Sequence, residues 1–426
     1  VVEDLLQTAV RKASRRLVWF LMLLYFFAVL DRVNVGIAAI TMRADLHLSA
    51  AAFGLGAGVF FLGYLVFEIP SNLLLTRFGA RLWLSRIAIT WGLAAMAVAL
   101  AWDDVSFIVL RFLLGLAEAG FFPGVVFTLA LWFPVRHRAR ITAHFLIAVP
   151  LSNALAAALS SPILALQGTL GLAGWQWLFI LEGAPTVMLG VLALFVLADG
   201  PSYVRWLHPD EKRALAAALA SQAPTAAASV RAALLSPLVW LLGLAYFGVN
   251  ISLTALGMWL PQLVHGLGHF SAIGSGLLSS GILLPGALAM VLWSRHSDIS
   301  GERARHVIVA AILAATGWVV SAFAATPAVA FAALALAAAG TYMTLSLFWT
   351  LPMAFLSGRA GAAGIALIGS VGGVGGFLGP WAIGALRDAT GDFSAAFALL
   401  AAAMLVTAAI AWRFGRTLLR PATAPV

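Results

Sequence analysis

Twelve apolar runs, each about twenty residues or longer, follow one another along this chain of 426 residues. Their approximate limits are 17–40, 52–75, 82–101, 105–132, 140–164, 175–198, 235–262, 272–294, 306–325, 328–356, 361–386 and 394–415. A helix needs about 20 mostly apolar residues to cross the hydrocarbon core of a bilayer. Lipid offers a bare backbone no hydrogen-bond partner, so only helices and closed barrels can span it. These runs are too long and too continuous for the alternating ten-residue segments of a barrel. They predict an all-α integral membrane protein of twelve transmembrane helices. Charged residues make up only 10% of the chain, against about 25% in soluble domains, which leaves too few to cover a surface facing water.

One long polar interval, 199–234, divides the spans into two sets of six. It holds a helical stretch rich in charge (Pro209 to Gln222) and then an Ala/Ser/Thr/Pro-rich segment. The predicted organisation is an N-terminal six-helix bundle over 1–198, a linker over 199–234 and a C-terminal six-helix bundle over 235–426. Of the 25 lysines and arginines, Arg32 and Arg111 lie within spans, and only Arg43 and Arg387 fall in loops on one face. The rest lie toward the opposite face, with both termini and the linker. The positive-inside rule makes that face cytoplasmic. The net charge of +9 therefore sets topology, and nucleic acid is not an expected partner. Arg11, Lys12, Arg15 and Arg16 before the first run resemble the start of a signal peptide. No small-residue cleavage site follows, so an uncleaved first span is expected.

Charges within spans mark the candidate site. Asp31 and Arg32 sit side by side within the first run, where each charge costs about 2.5–3.5 kcal/mol at the centre of a helix in lipid. In the fourth run Arg111 and Glu118 are seven residues apart, two helical turns or about 10 Å, and share a face with Gly115. Such residues face a protein interior or a watered cavity and pair with one another. The simplest structural pairing is Asp31 with an arginine and Arg111 with Glu118. Arginine offers a fixed charged fork for a carboxylate, and a carboxyl group can gain and lose a proton. Glu68, near the end of the second span, reads as a gating or structural group. Glu182 is expected to pair with basic residues at the cytoplasmic face. Tyr64 and Trp349 read equally as cavity walls or as packing. After span 2 comes Arg77-Phe78-Gly79-Ala80-Arg81, and after span 8 comes Ser297 to Arg303, with Asp298, Gly301 and Arg303. Both put a glycine turn among polar or charged residues, a weak internal repeat of the kind found in secondary transporters. The glycine-rich run 369–379 lacks the strand and lysine of a phosphate loop and suits close helix packing. There is no cysteine, and the eight histidines show no ligand spacing. No metal, cofactor or enzymatic motif is indicated.

Taken in order, these motifs resemble the anion:cation symporter family of the major facilitator superfamily, which includes tartrate, phthalate, hexuronate and galactonate permeases. The resemblance is carried by Tyr25-Phe26 followed by Asp31-Arg32 and Asn34, by Gly63-Tyr64 followed by Ile69-Pro70 and Asn72, and by Arg111 to Pro123. Gly174 to Gly183, Trp259 to Gln262, Phe348 to Pro352 and Gly364 to Pro380 complete it. It implies a twelve-helix rocker-switch fold importing a small organic anion with protons, with sodium as the other coupling ion to consider. It also implies proton-carrying roles for Asp31 and Glu118 and an anion-contacting role for Arg32, with Arg111 paired nearby. Tyr64 and Trp349 then line the cavity, and Glu68, Arg77, Gly79, Arg81, Asp298 and Arg303 serve gating or structure. Where the family commonly has asparagine in span 11 this chain has Gly369 and Gly373, and Val149 replaces a polar group in span 5. Both changes favour a less hydroxylated or aromatic carboxylate. Asn72 and Thr76 depart from the usual loop motif, so gating there is expected to differ. The expected setting is the inner membrane, as a monomer with both termini cytoplasmic. The other readings are a drug or metabolite exporter of the same fold, which the missing exporter pattern in span 5 disfavours, and a transporter-like sensor, which the short termini disfavour.

Overall fold

A computed structural model of the protein describes residues 2–146, 148–220, 234–268, 270–353 and 358–418. Most of the Ala/Ser/Thr/Pro-rich linker and the end of the tenth predicted span therefore lie outside the described residues. The described chain is helical throughout its regular structure. Helix α1 (Val2–Ala13) continues through a π turn at Ser14–Val18 into α2 (Trp19–Asp45). There follow α3 (Ala50–Phe78), α4 (Ala80–Ala97), α5 (Asp104–Glu118), α6 (Phe121–Trp132), α7 (Val135–Leu146), α8 (Ala148–Ser160), α9 (Gly174–Val196) and α10 (Pro209–Ala220). The second half comprises α11 (Pro237–Thr254), α12 (Leu260–Gly268), α13 (Ala272–Ser300), α14 (Arg303–Ala322), α15 (Pro327–Phe348), α16 (Gly358–Thr390) and α17 (Ser394–Leu418). Among the described residues eleven helices are long and apolar enough to cross a membrane, and two pieces bent by 53°, His144–Asn153 and Leu155–Leu166, make twelve when counted together as one span.

Local chemistry sets many of the ends. The Ser49 hydroxyl accepts from Ala52 N and starts α3. Asp103 accepts from Ser106 N at 2.8 Å while Ser106 Oγ returns to Asp103 N, a reciprocal cap that starts α5. The fourth span, predicted as one run, is broken at the charged site. Ala119 turns extended and Gly120 takes a left-handed φ of +85°, so α5 stops at Glu118 and α6 begins at Phe121. Only glycine adopts that φ without steric cost. Membrane helices tolerate such breaks where the backbone is enclosed by protein.

The large side chains left exposed, such as Met188, Phe195, Leu288 and Leu292, suit a shell facing lipid. Between the halves, small residues bring backbones together on the face opposite the termini. Gly54 and Gly58 of α3 abut the carbonyls of Pro380 and Phe377 in α16, Gly384 abuts Ala50, and Gly36 of α2 abuts Met258 in the π turn that joins α11 to α12. At that face Asp388 accepts from Ala50 N (3.1 Å) and Ala51 N (2.7 Å), and Arg43 donates to Gln262 Oε1 at 3.1 Å. Toward the termini the α3–α16 seam opens. A Cβ at Gly376 would still meet the Phe61 ring at 3.1 Å, but one at Gly373 or Gly369, further along the same stripe, would meet open space. The halves are thus closed at one end and parted at the other.

Candidate functional site

Asp31 and Arg32 are neighbours on α2, so their side chains leave the helix about 100° apart and enter different surroundings. Arg32 points toward α5, donating from Nε (2.9 Å) and Nη2 (2.5 Å) to the same oxygen of Glu118, Oε1. Its guanidinium stands 5.3 Å from the Tyr64 ring centre and 5.7 Å from that of Phe60. The Glu118 side chain is 0% exposed and the Arg32 side chain 21%. Glu118 Oε2 is buried without a partner.

Arg111 is fully buried and meets no carboxylate at hydrogen-bond distance. Its guanidinium reaches the carbonyls of Gly56 (3.4 Å), Asp31 (3.5 Å) and Ala57 (3.5 Å) and lies 5.2 Å from the Phe60 ring centre. The expected pairing of Arg111 with Glu118 is therefore replaced by Arg32 with Glu118. Gly115 behaves as predicted: its bare Cα lets α5 rest on the Phe60 carbonyl of α3.

Asp31 looks away from Arg32 into the N-terminal bundle. Its carboxylate accepts from Trp91 Nε1 at 2.8 Å and from Asn34 Nδ2 at 3.4 Å. Asn34 Nδ2 also donates to Glu182 Oε2 at 2.8 Å, and the Ser160 hydroxyl donates to Glu182 Oε1 at 2.6 Å. All five side chains are buried. Glu182 thus belongs to the interior and not to the cytoplasmic face. Trp175 opens α9 at the far face, and seven residues place Glu182 about 10 Å deeper, beyond the reach of basic loops. That depth was the available signal, because both ends of the sixth span were legible. Asn34, Trp91 and Ser160 carried no distinguishing pattern.

The second half repeats this arrangement without charge. Trp318 Nε1 donates to Ser252 Oγ at 2.8 Å, and Ser252 is hydrogen-bonded to Thr341 at 2.8 Å. Span 9 thus anchors to span 7 as span 3 anchors to span 1. The wall nearer the opening is aromatic. Tyr246 packs on Phe348 (5.0 Å) and Trp349 (4.7 Å), with Gly372 against Tyr246. Trp349 lies in this C-terminal cluster, apart from Arg32.

The predicted gating residues fall into two loops on the face that carries the termini. Gly79 has φ +84° and faces the Asp199 carboxylate, which accepts from Arg81 N at 2.8 Å, while Arg81 Nε donates to Leu194 O at 2.7 Å. Asp199, at the end of the sixth span, thereby holds the loop after α3. Arg77 stacks on Phe78. In the second half Arg303 pairs with Asp298 at 2.5 Å. Glu68 is half-buried, one turn beyond Tyr64, and its main-chain carbonyl accepts from Asn72 Nδ2 at 2.8 Å.

Two helical bundles, closed on one side around buried charges, define a polytopic membrane carrier. The family model of the Major Facilitator Superfamily matches residues 21–380. The chain is 45% identical over 411 residues to a protein of Agrobacterium vitis provisionally named a tartrate transporter, covering 96% of this chain and 91% of that one. It is 40% identical to a quinolone resistance transporter of Acinetobacter baumannii, covering 94% of each. A solved bacterial homologue of the human lysosomal transporter Spinster, in an inward-facing and occupied conformation, superposes with a TM-score of 0.76 at 18% identity, covering 96% of this chain and 98% of that one. The protein belongs to the major facilitator superfamily. It is a transporter and not an enzyme, and its relatives fit the resemblance to the anion:cation symporters.

Proposed function

We propose that the protein moves a small organic anion together with protons by alternating access, across the inner membrane with its termini in the cytoplasm. The observation that carries this reading is the Arg32–Glu118 pair. Among Asp31, Arg32, Arg111, Glu118 and Glu182, only Arg32 has an appreciably exposed side chain. Protonation of Glu118 neutralises its hold on Arg32, and the guanidinium is then free to take a carboxylate arriving from the cleft. Release of the substrate lets Glu118 ionise and pair again, so proton and anion travel together. Arg111, held by three carbonyls, keeps a fixed positive charge behind the exchange. With basic residues concentrated on the open side, the conformation described is inward-facing. Asp199 with the Gly79 turn and the Asp298–Arg303 pair serve as the hinges of the rocking halves.

The name of the Agrobacterium relative supports tartrate-like carboxylates. The aromatic wall of Tyr246, Phe348 and Trp349 and the space beside Gly369 and Gly373 favour a flat, sparsely hydroxylated acid. The test is uptake by the full chain in liposomes of tartrate, galactonate, benzoate and phthalate under an acid-outside gradient. Accumulation of one of them, lost in Glu118→Gln, is expected. Equal uptake with and without the gradient overturns proton coupling. The quinolone resistance relative supports a second reading, since quinolones are aromatic carboxylates suited to the same wall. Export of a fluoroquinolone without uptake of any of the four acids would favour it.

A further inference from the structure

The exchange between Arg32 and Glu118 makes no use of Glu182, yet Glu182 changes the charge balance of the buried site. Three carboxyl groups (Asp31, Glu118, Glu182) share the interior of the first six spans with two guanidinium groups (Arg32, Arg111). If all five were ionised, one negative charge would stand uncompensated in a dry bundle, an arrangement that costs several kcal/mol (about 3–5 when a buried charge loses its partner). The excess falls at Asp31 and Glu182. Their hydrogen-bond donors are an indole (Trp91), an amide (Asn34) and a hydroxyl (Ser160).

The groups facing this pocket come from every neighbouring element. Asp31 and Asn34 lie on α2 with Arg32 on its adjoining face, Trp91 on α4, Arg111 and Glu118 on α5, Ser160 at the end of α8, and Glu182 on α9. Arg111 touches Asp31 only through its main-chain carbonyl, and Arg32 is committed to Glu118. Asn34 adds an independent sign. Its amide nitrogen donates to both carboxyls while its Oδ1 is buried without a partner. Rotation of that amide turns Oδ1 toward either acid, where it would accept from a carboxyl O–H. The second half shows that acids are not needed to hold the helices, because Trp318 finds the Ser252 hydroxyl, itself bonded to Thr341, in the corresponding place.

We propose that Asp31 and Glu182, bridged by Asn34, form a proton-storage site that holds one proton between two carboxyls, separate from the Arg32–Glu118 pair that meets the anion. The proton is taken from water on one side of the membrane and given up to water on the other. When it leaves, both carboxyls are ionised and the nearby Arg111 offsets only one of the two charges, so the emptied site is ready to take a proton again. The inference rests on the proton-coupled reading above and adds Glu182 to it.

Infrared difference spectroscopy of the purified full chain, which needs no substrate, reads protonated carboxyl groups through their C=O stretch. At neutral pH the wild type is expected to show a protonated carboxyl that is lost in Glu182→Gln. Asp31→Asn is expected to lose it as well, since either change restores a balance of two acids and two guanidiniums, and it keeps the test decisive if the first variant fails to fold. A band that persists in the variants, or a wild type without one, overturns the storage site. Gradient-driven uptake by a wild type without the band removes the storage site and leaves symport standing. Loss of the band in both variants without any gradient-driven uptake supports the site and removes symport.

Discussion

Replacing Arg32 with alanine leaves the buried Glu118 carboxylate without its charged partner. The Glu118 side chain is 0% exposed, and two hydrogen bonds of 2.9 and 2.5 Å to Oε1 disappear together. Removing one partner of a buried pair costs about 3–5 kcal/mol. Arg32 is 21% exposed and leaves a path for water, so the lower end, about 3 kcal/mol, is the expected loss. In a Glu118→Gln background the same replacement leaves a neutral amide and costs about 1 kcal/mol, an ordinary hydrogen bond. The coupling between the two positions is then about 2 kcal/mol, roughly thirtyfold in an equilibrium constant. The four proteins of this cycle can be compared by denaturant titration in mixed micelles, followed by tryptophan fluorescence. Costs that add to within about 0.5 kcal/mol would refute the claim that Arg32 and Glu118 act as a pair.

Two further predictions concern other parts of the molecule. Gly54→Val drives a side chain into the Pro380 carbonyl, so it should pry open the closed end. A reporter cysteine at Val33, which lines a small cavity with residues of α8 and α12, gains labelling in this cysteine-free chain; unchanged labelling would mean that the α3–α16 seam does not hold the closed end. Outside the membrane, Glu211 of α10 accepts from Lys12 Nζ (2.6 Å) and His208 N (2.9 Å). Burial pushes its carboxyl up, but those bonds outweigh it and hold the group below the usual carboxylate range. A depressed folded value means that the clasp between α1 and α10 contributes fully above the ordinary carboxylate pKa and is lost as pH falls through the lower folded one. Hydrogen exchange in α1 should quicken under acid in the wild type and be fast at every pH in Glu211→Gln; protection that does not change with pH contradicts this.

Much of the architecture was legible because lipid imposes a length and a polarity on each span. The helix ends at Ser49 and Asp103 follow from local chemistry, and Gly115 was legible as a place where a neighbouring helix could approach closely. Sequence could also single out Asp31, Arg32, Arg111 and Glu118, since charge inside an apolar run is conspicuous. It could not say which faced which. Partner choice depends on helix rotation, and about 100° per residue sends Asp31 and Arg32 into separate pockets. The break at Ala119-Gly120 was equally hidden, because Gly120 in an apolar run reads as one more small packing residue.

Composition and spacing by themselves determined a chain that must bury its backbone in helices across a membrane, with ionisable groups too costly to face lipid. Tertiary structure alone decided that Arg32 binds Glu118, that Arg111 rests on carbonyls and that Glu182 joins Asp31 through Asn34. The reason is reach. Hydropathy acts along one helix and survives in linear order, whereas a hydrogen bond must close within about 3 Å between residues as far apart as 34 and 182, and only the packing of α2 against α9 brings those two together.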